Sequence, residues 1–272
     1  MSAPTAVASQ RRPWLAISVV GTAAFAIAFF LLPSAVAEAS SASGITTGSL
    51  AGRVGTAFSH WWLTSDASLP PDMAAVVSFW QVFHVTKVLV AIALLVALVA
   101  TGYQVWQAWA RMDGRAVRAG TAILGVLGAP LAPLTLLIVM ANLQGAIAPL
   151  SSAMGLLPMD GSVAEVASVQ EQFAAGTTTP VLDVLIDDFR TYHLVLVVTA
   201  GVAAALVLAA DILMWVRRTR LPRTSVGLRR LTAMIAIVLP AVIPVLLFLM
   251  VVNLSTVMDT APALAAFFAG SR

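Results

Sequence analysis

The sequence predicts an all-α, polytopic membrane protein. Three observations carry that prediction: the apolar content, the length of the apolar runs and the sorting of charge. Hydrophobic residues fill 60% of the 272 positions and charged residues 10%, against roughly 25% charged in an average soluble protein. Mean hydropathy is +0.96. A soluble fold of this length needs a charged shell that this chain lacks. A soluble enzyme, a disordered chain and a nucleic-acid-binding domain are thereby excluded. The absence of cysteine removes disulfides, thiolate metal sites and cysteine nucleophiles. Fourteen arginines against one lysine, in an Ala/Val/Leu/Gly-rich background, point to a GC-rich bacterial genome.

About 20 apolar residues cross a bilayer as a helix, and five stretches qualify. Span one runs from Trp14 to Leu32 and is expected to stop at Pro33. Arg11 and Arg12 precede it, and the small-residue sets Ala35-Val36-Ala37 and Ala37-Glu38-Ala39 follow it. Residues 1–39 therefore read as a signal-like segment or as a retained anchor, and both readings stay open.

Residues 40–150 form the next unit. Leu50, Val54, Phe58, Trp61 and Trp62 recur at helical spacing between Ser49 and Trp62. They suggest a short amphipathic helix on the outer membrane face. Span two covers Val85 to Val105, and span three covers Gly120 to Asn142. Residues 151–272 repeat this order. A polar helix is expected over Ser162 to Ala174, and a further one starts at Thr177-Thr178-Thr179-Pro180 with an N-cap and proline at N1. Span four covers Leu194 to Met214, and span five covers Leu231 to Val252. The outer segments either cap the bundle or form a docking surface for a partner. Pro130, Pro133, Pro240 and Pro244 are expected to kink spans three and five.

Charge sets the orientation. Arg11 and Arg12, the arginines at 111, 115 and 118, and those at 217, 218, 220, 223, 229 and 230 place 11 of 15 basic residues on one side. The positive-inside rule makes that side cytoplasmic, with the N-terminus inside and the C-terminus outside. Ten of the 12 acids fall on the other side. Trp106, Trp109 and Trp215 are placed to anchor the cytoplasmic boundary. With the arginines spent on topology and anionic lipid, direct nucleic-acid binding is not expected.

The two halves read as a tandem duplication. Phe83-His84 and Tyr192-His193 lie 109 residues apart, as do Trp106 and Trp215. Beyond the intervening loop the offset is 111: Arg118 with Arg229, Thr121-Ala122 with Thr232-Ala233, Pro133 with Pro244, and Asn142-Leu143 with Asn253-Leu254. Each unit runs from outside to inside and back, giving two parallel two-helix repeats.

Ionisable residues inside spans are the candidates for function. Lys87 lies near the outer end of span two and can snorkel. Asp211 lies near the inner end of span four, with Arg217 or Arg218 as the expected ion-pair partner; a proton or ion relay is the alternative. His84 and His193, at equivalent heights, have the residue type of two axial ligands to a haem b. His60, a third outer histidine, opens a copper or zinc alternative, and interface packing is the plain alternative to both. Asn142 and Asn253 can hydrogen-bond across helices. No phosphate loop, His-Glu-x-x-His or Gly-x-Ser-x-Gly occurs, so no catalytic residue is assigned.

The stretch from Ala51 to Leu150 orders a short outer helix, Trp61-Trp62-Leu63-Thr64, a proline-marked break, a span, Ala110-Arg111-Met112-Asp113-Gly114-Arg115 and a further span. In this it resembles TrbL-like membrane proteins of conjugative, type IV secretion systems in high-GC Gram-positive bacteria. The resemblance covers about 100 residues and none of its motifs is catalytic. It implies a component of a translocation channel in the cytoplasmic membrane, with other secretion subunits as partners; apart from the resemblance, the lipid bilayer and other membrane subunits or further copies of this chain are the expected partners. The rival expectations are a haem-binding redox subunit and a small ion- or proton-coupled transporter.

Overall fold

A computed structural model describes residues 12–109, 128, 130–158 and 164–270. Arg11, the arginines at 111, 115 and 118, residues 120–127 of span three, and Asp160 lie outside the described residues. The described chain is helical, with no strand: α1 (Arg12–Ser40), α2 (Leu50–Thr64), α3 (Pro71–Trp109), α4 (Leu131–Ile147), α5 (Pro149–Met154), α6 (Ala164–Ala175), α7 (Pro180–Arg220), α8 (Val226–Val238), a 3₁₀ turn (Leu239–Ala241), α9 (Val242–Met258) and α10 (Thr260–Phe268). Four stretches are long and apolar enough to cross a membrane: Trp14–Ser40, Pro71–Gln107, Pro180–Arg220 and Val226–Met258. Leu131–Ile147 is a shorter apolar fifth. Their side chains are turned outward as lipid requires: Phe30, Leu206 and Phe248 are about two-thirds or more exposed. This is an integral membrane protein.

Several boundaries differ from the sequence reading. Pro33 does not stop the first helix, because α1 continues through it to Ser40. A proline inside a helix removes one donor and crowds one carbonyl, and the following Ala-rich stretch is a good helix former. Spans two and four are the cores of much longer helices of 39 and 41 residues. The helix expected to start at Thr177–Pro180 is therefore not separate: it is the first part of α7. Its cap is as expected, with Pro180 at N1 and the Leu182 N–H donating to Thr179 Oγ1 at 3.3 Å. Span five is interrupted at its prolines, as expected: Pro240 lies in the 3₁₀ turn between α8 and α9, and Pro244 sits in the first turn of α9, as Pro133 does in α4. Proline fits a first turn because its missing N–H has no helical acceptor there.

Contacts divide the chain into two compact units. One comprises residues 1–31, 89–139 and 205–244; the other comprises 32–88, 140–204 and 245–272. Each draws on both halves of the sequence.

The second unit holds the main core. Trp61, Phe58, Phe268, Met73, Leu182 and Leu185 are all less than 2% exposed. The apolar face of α2 belongs to this core, so it is covered by protein rather than laid on lipid. Helix α6 packs against both α2 and α10. Ser59 Oγ donates to Glu165 Oε2 at 2.6 Å, and Trp62 Nε1 donates to Ser168 Oγ at 3.1 Å. Helix α6 ends on Gly176, which takes φ +65°. The Gly176 N–H bonds Phe173 O at 3.2 Å and the Thr177 N–H bonds Gln172 O at 3.1 Å, the double closure that favours glycine at this position. The end of α1 also joins this unit: Ala37 is fully buried in the core, and Glu38 Oε1 accepts the Thr47 N–H at 2.8 Å.

In the first unit α1 meets α3 through polar side chains. Thr22 and Thr101 share a hydroxyl–hydroxyl bond of 3.0 Å, and Gln104 Nε2 donates to Ser18 Oγ. Arg229 Nη1 donates to Leu221 O at 2.9 Å, closing the end of α7.

Candidate functional site

The second unit brings most of the sequence-predicted polar residues together. Trp80, Gln81 and His84 lie on consecutive turns of α3, so they share one helical face. Helix α4 presents Asn142, Gln144 and Gly145, and α5 follows with Ser151 and Ser152. Nδ1 of His84 donates to Asn142 Oδ1 at 3.0 Å. That fixes the tautomer and leaves Nε2 as the acceptor, which takes a bond from Ser152 Oγ at 3.3 Å. Ser152 Oγ in turn accepts Trp80 Nε1–H at 3.0 Å. Every donor in this chain points one way, from the indole through the hydroxyl and the imidazole to the amide oxygen. The imidazole is edge-on to Trp80 at 4.6 Å and to Phe83 at 5.6 Å. Gly145 is required beside it, since a Cβ there would sit 2.6 Å from the His84 ring.

The second histidine is held similarly. Nδ1 of His193 donates to Asn253 Oδ1 at 2.7 Å, and Asn253 Nδ2 donates to Leu249 O at 2.8 Å, which orients the amide. Phe189 and Tyr192 stand edge-on to His193 at 4.5 and 5.4 Å, the places that Trp80 and Phe83 take around His84.

Further bonds join these elements. Gln81 Nε2 donates to Ala146 O at 3.1 Å, and Gln144 Nε2 donates to Tyr192 O at 3.0 Å. Asp188 Oδ2 receives both the backbone N–H and the hydroxyl of Ser151, each at 2.6 Å. Asp188, Gln144 and Ser152 were not singled out from sequence. The signal for Asp188 was available: it lies three residues beyond Leu185 on the buried face of α7, whereas Asp183 and Asp187 are exposed.

Both ring nitrogens of His84 are engaged in hydrogen bonds, and Gly145 closes on one side of its ring. His60 bonds Asp72 through Nδ1 at 2.9 Å on an exposed surface. Among the described residues no three His, Asp or Glu side chains converge as a metal site would require.

The remaining candidates stand apart. Lys87 Nζ lies over the Phe83 ring, 4.7 Å from its centre. Asp211 is buried, at 8% exposure, and among the described residues it makes no ion pair with Arg217, Arg218 or any other group. The expected pair does not form because Arg218 turns back over the Trp215 ring at 5.2 Å. Two helical turns also separate Arg218 from Asp211 along α7.

Set against known proteins, the chain matches no family model, no curated protein and no solved structure.

Proposed function

We propose that this chain is a non-enzymatic membrane component of a translocation, secretion or transport assembly, a TrbL-like subunit of a bacterial cytoplasmic membrane. Its N-terminus lies in the cytoplasm and its C-terminus outside. The observation that carries the reading is how the polar side chains are used. The histidines, asparagines, glutamines and Asp188 of the second unit bond to one another or to backbone, tying α3, α4, α5, α7 and α9 together. None is left converging on a space where a substrate could react. Such a network fixes helix positions, which suits a scaffold subunit.

The reading also includes a tandem duplication, on boundaries that the sequence did not supply. Helices α3 and α7 start on prolines 109 residues apart. Helices α4 and α9 are both 17 residues long and start and end 111 apart. Each is broken at the same place, Ala148 (φ −120°, ψ 68°) and Asp259 (φ −130°, ψ 53°), before a short helix. The two His–Asn bonds then fall at matching positions.

Affinity purification from native membranes in a mild detergent tests the function. Recovery with other membrane subunits of a secretion or transport system supports it. Recovery of a protein free of any membrane partner removes the support.

A further inference from the structure

We propose that the hairpin between α7 and α8 is a binding site for the headgroup of an anionic phospholipid. The hairpin carries six arginines between positions 217 and 230. The structure divides them by task. Arg229 is folded inward: its Nη1 donates to Leu221 O at 2.9 Å and to Arg218 O at 3.4 Å. Arg218 lies over the Trp215 ring, 5.2 Å from its centre. These two half-buried side chains brace the turn, together with the Ser225 N–H bond to Pro222 O at 3.0 Å. Arg217, Arg220, Arg223 and Arg230 are exposed instead. A braced turn holds their backbone in place, so ordering them on a ligand costs less.

The surplus of charge calls for an anion from outside. No acid occurs between Asp211 and Asp259. The sequence of the first unit, including the residues outside the described set, holds eleven arginines against Asp113 and Asp211. Two carboxylates cannot balance them, and such a field favours an anionic partner. The side chains beside the arginines identify that partner. Leu213, Trp215, Val216 and Val226 flank the charges on the same hairpin and are exposed. A phosphate with acyl chains attached meets both kinds of surface. Guanidinium groups bond its oxygens, and the apolar side chains and the indole lie along its chains. A nucleic acid meets the charges alone and leaves the apolar side chains bare in water. Basic clusters directly beyond a span are where anionic headgroups gather.

The test uses the full chain in neutral detergent, titrated with phosphatidylglycerol, with the bound lipids counted by native mass spectrometry. Phosphatidylglycerol is expected to be retained in preference to phosphatidylcholine. Arg217→Gln with Arg223→Gln should weaken that binding about fivefold for each arginine removed, and Arg220→Gln with Arg230→Gln should do the same. Arg53→Gln with Arg190→Gln removes equal charge from exposed arginines of the second unit and should leave binding unchanged. All three variants are expected to melt as the parent does, since each replaced side chain is exposed. Unchanged binding in the hairpin variants overturns the proposal, and so does retention of both lipids alike. Equal loss in the second-unit variant also overturns it, because the effect would then be one of net charge. Displacement of the lipid by inorganic phosphate at matched concentration, or by a single-stranded oligonucleotide, does the same: the hairpin would then be a site for free phosphate or for nucleic acid.

Discussion

His193 donates its Nδ1–H to the side-chain oxygen of Asn253 at 2.7 Å, and His84 makes the same bond to Asn142 at 3.0 Å. The partners are 60 and 58 residues apart in the chain, so each bond joins a long helix to the shorter apolar helix that follows. Within membranes such interhelical bonds contribute modestly, about 0.6 kcal/mol on average and up to ~1.7. Asn253→Leu and Asn142→Leu are each expected to lower thermal stability in detergent by an amount in that range. A double-mutant cycle with His193→Phe should return a coupling for the Asn253 pair. No coupling would mean that the bond is not formed.

Gly145 is the tightest point of this arrangement. Gly145→Ala drives a methyl into the His84 ring, and overpacking of this kind costs about 1–3 kcal/mol. Gly52→Ala and Gly21→Ala, where an added Cβ meets nothing within 4 Å, should leave the melting temperature nearly unchanged. Equal effects at all three positions would contradict the packing described.

The core of the second unit rests on Trp61 and Phe58. Trp61→Ala should cost about 3–5 kcal/mol, read as early loss of the folded species on heating in detergent. Leu63, on the same helix but 72% exposed, should tolerate alanine within about 0.5 kcal/mol. If α2 lay on lipid with its apolar face outward, Trp61→Ala would be mild as well.

The contact between α1 and α3 can be trapped directly. The chain has no cysteine, so Thr22→Cys with Thr101→Cys supplies the only thiols. Their hydroxyl oxygens lie 3.0 Å apart. Oxidation is expected to form the disulfide in purified protein, seen as a cross-linked peptide pair. A mature chain whose mass lacks α1 would contradict the packing of Ala37 in the core.

Asp66 gives a pH signature at the end of α2. Its carboxylate accepts the Ser68 N–H at 3.0 Å, and that bond holds its pKa below the usual aspartate value. A depressed folded value means that the interaction is fully present above the unfolded pKa and fades as pH falls through the folded one. Protection of the Ser68 amide from hydrogen exchange should therefore weaken in acid, and Asp66→Ala should remove that pH dependence. Unchanged protection would show that the bond does not form.

Much of this fold was legible in the sequence because lipid imposes simple rules. Apolar length marked the helices, and the rare residues His84, His193, Asn142 and Asn253 are the ones that form the two interhelical bonds. Sequence did not reveal that each histidine bonds the asparagine of its own helix pair, since that depends on helix rotation. It also misjudged ends. Hydropathy falls where α3 and α7 leave the apolar zone, although the helices themselves continue, and Pro33 looked like a stop because its tolerance depends on the residues after it. The face of α2 looked lipid-bound because periodicity reports an apolar stripe without saying what covers it. Asp211 was paired with nearby arginines on proximity in sequence, which ignores the turn of Arg218 toward Trp215.

The central claim is that this chain acts as a fixed part of a larger membrane assembly. The most direct measurement is the mass of the particle released from native membranes in polymer-bounded lipid discs, without detergent. The account predicts a particle larger than one 28.3 kDa chain, containing further copies or other membrane subunits in fixed ratio. A single chain with lipid alone would contradict it.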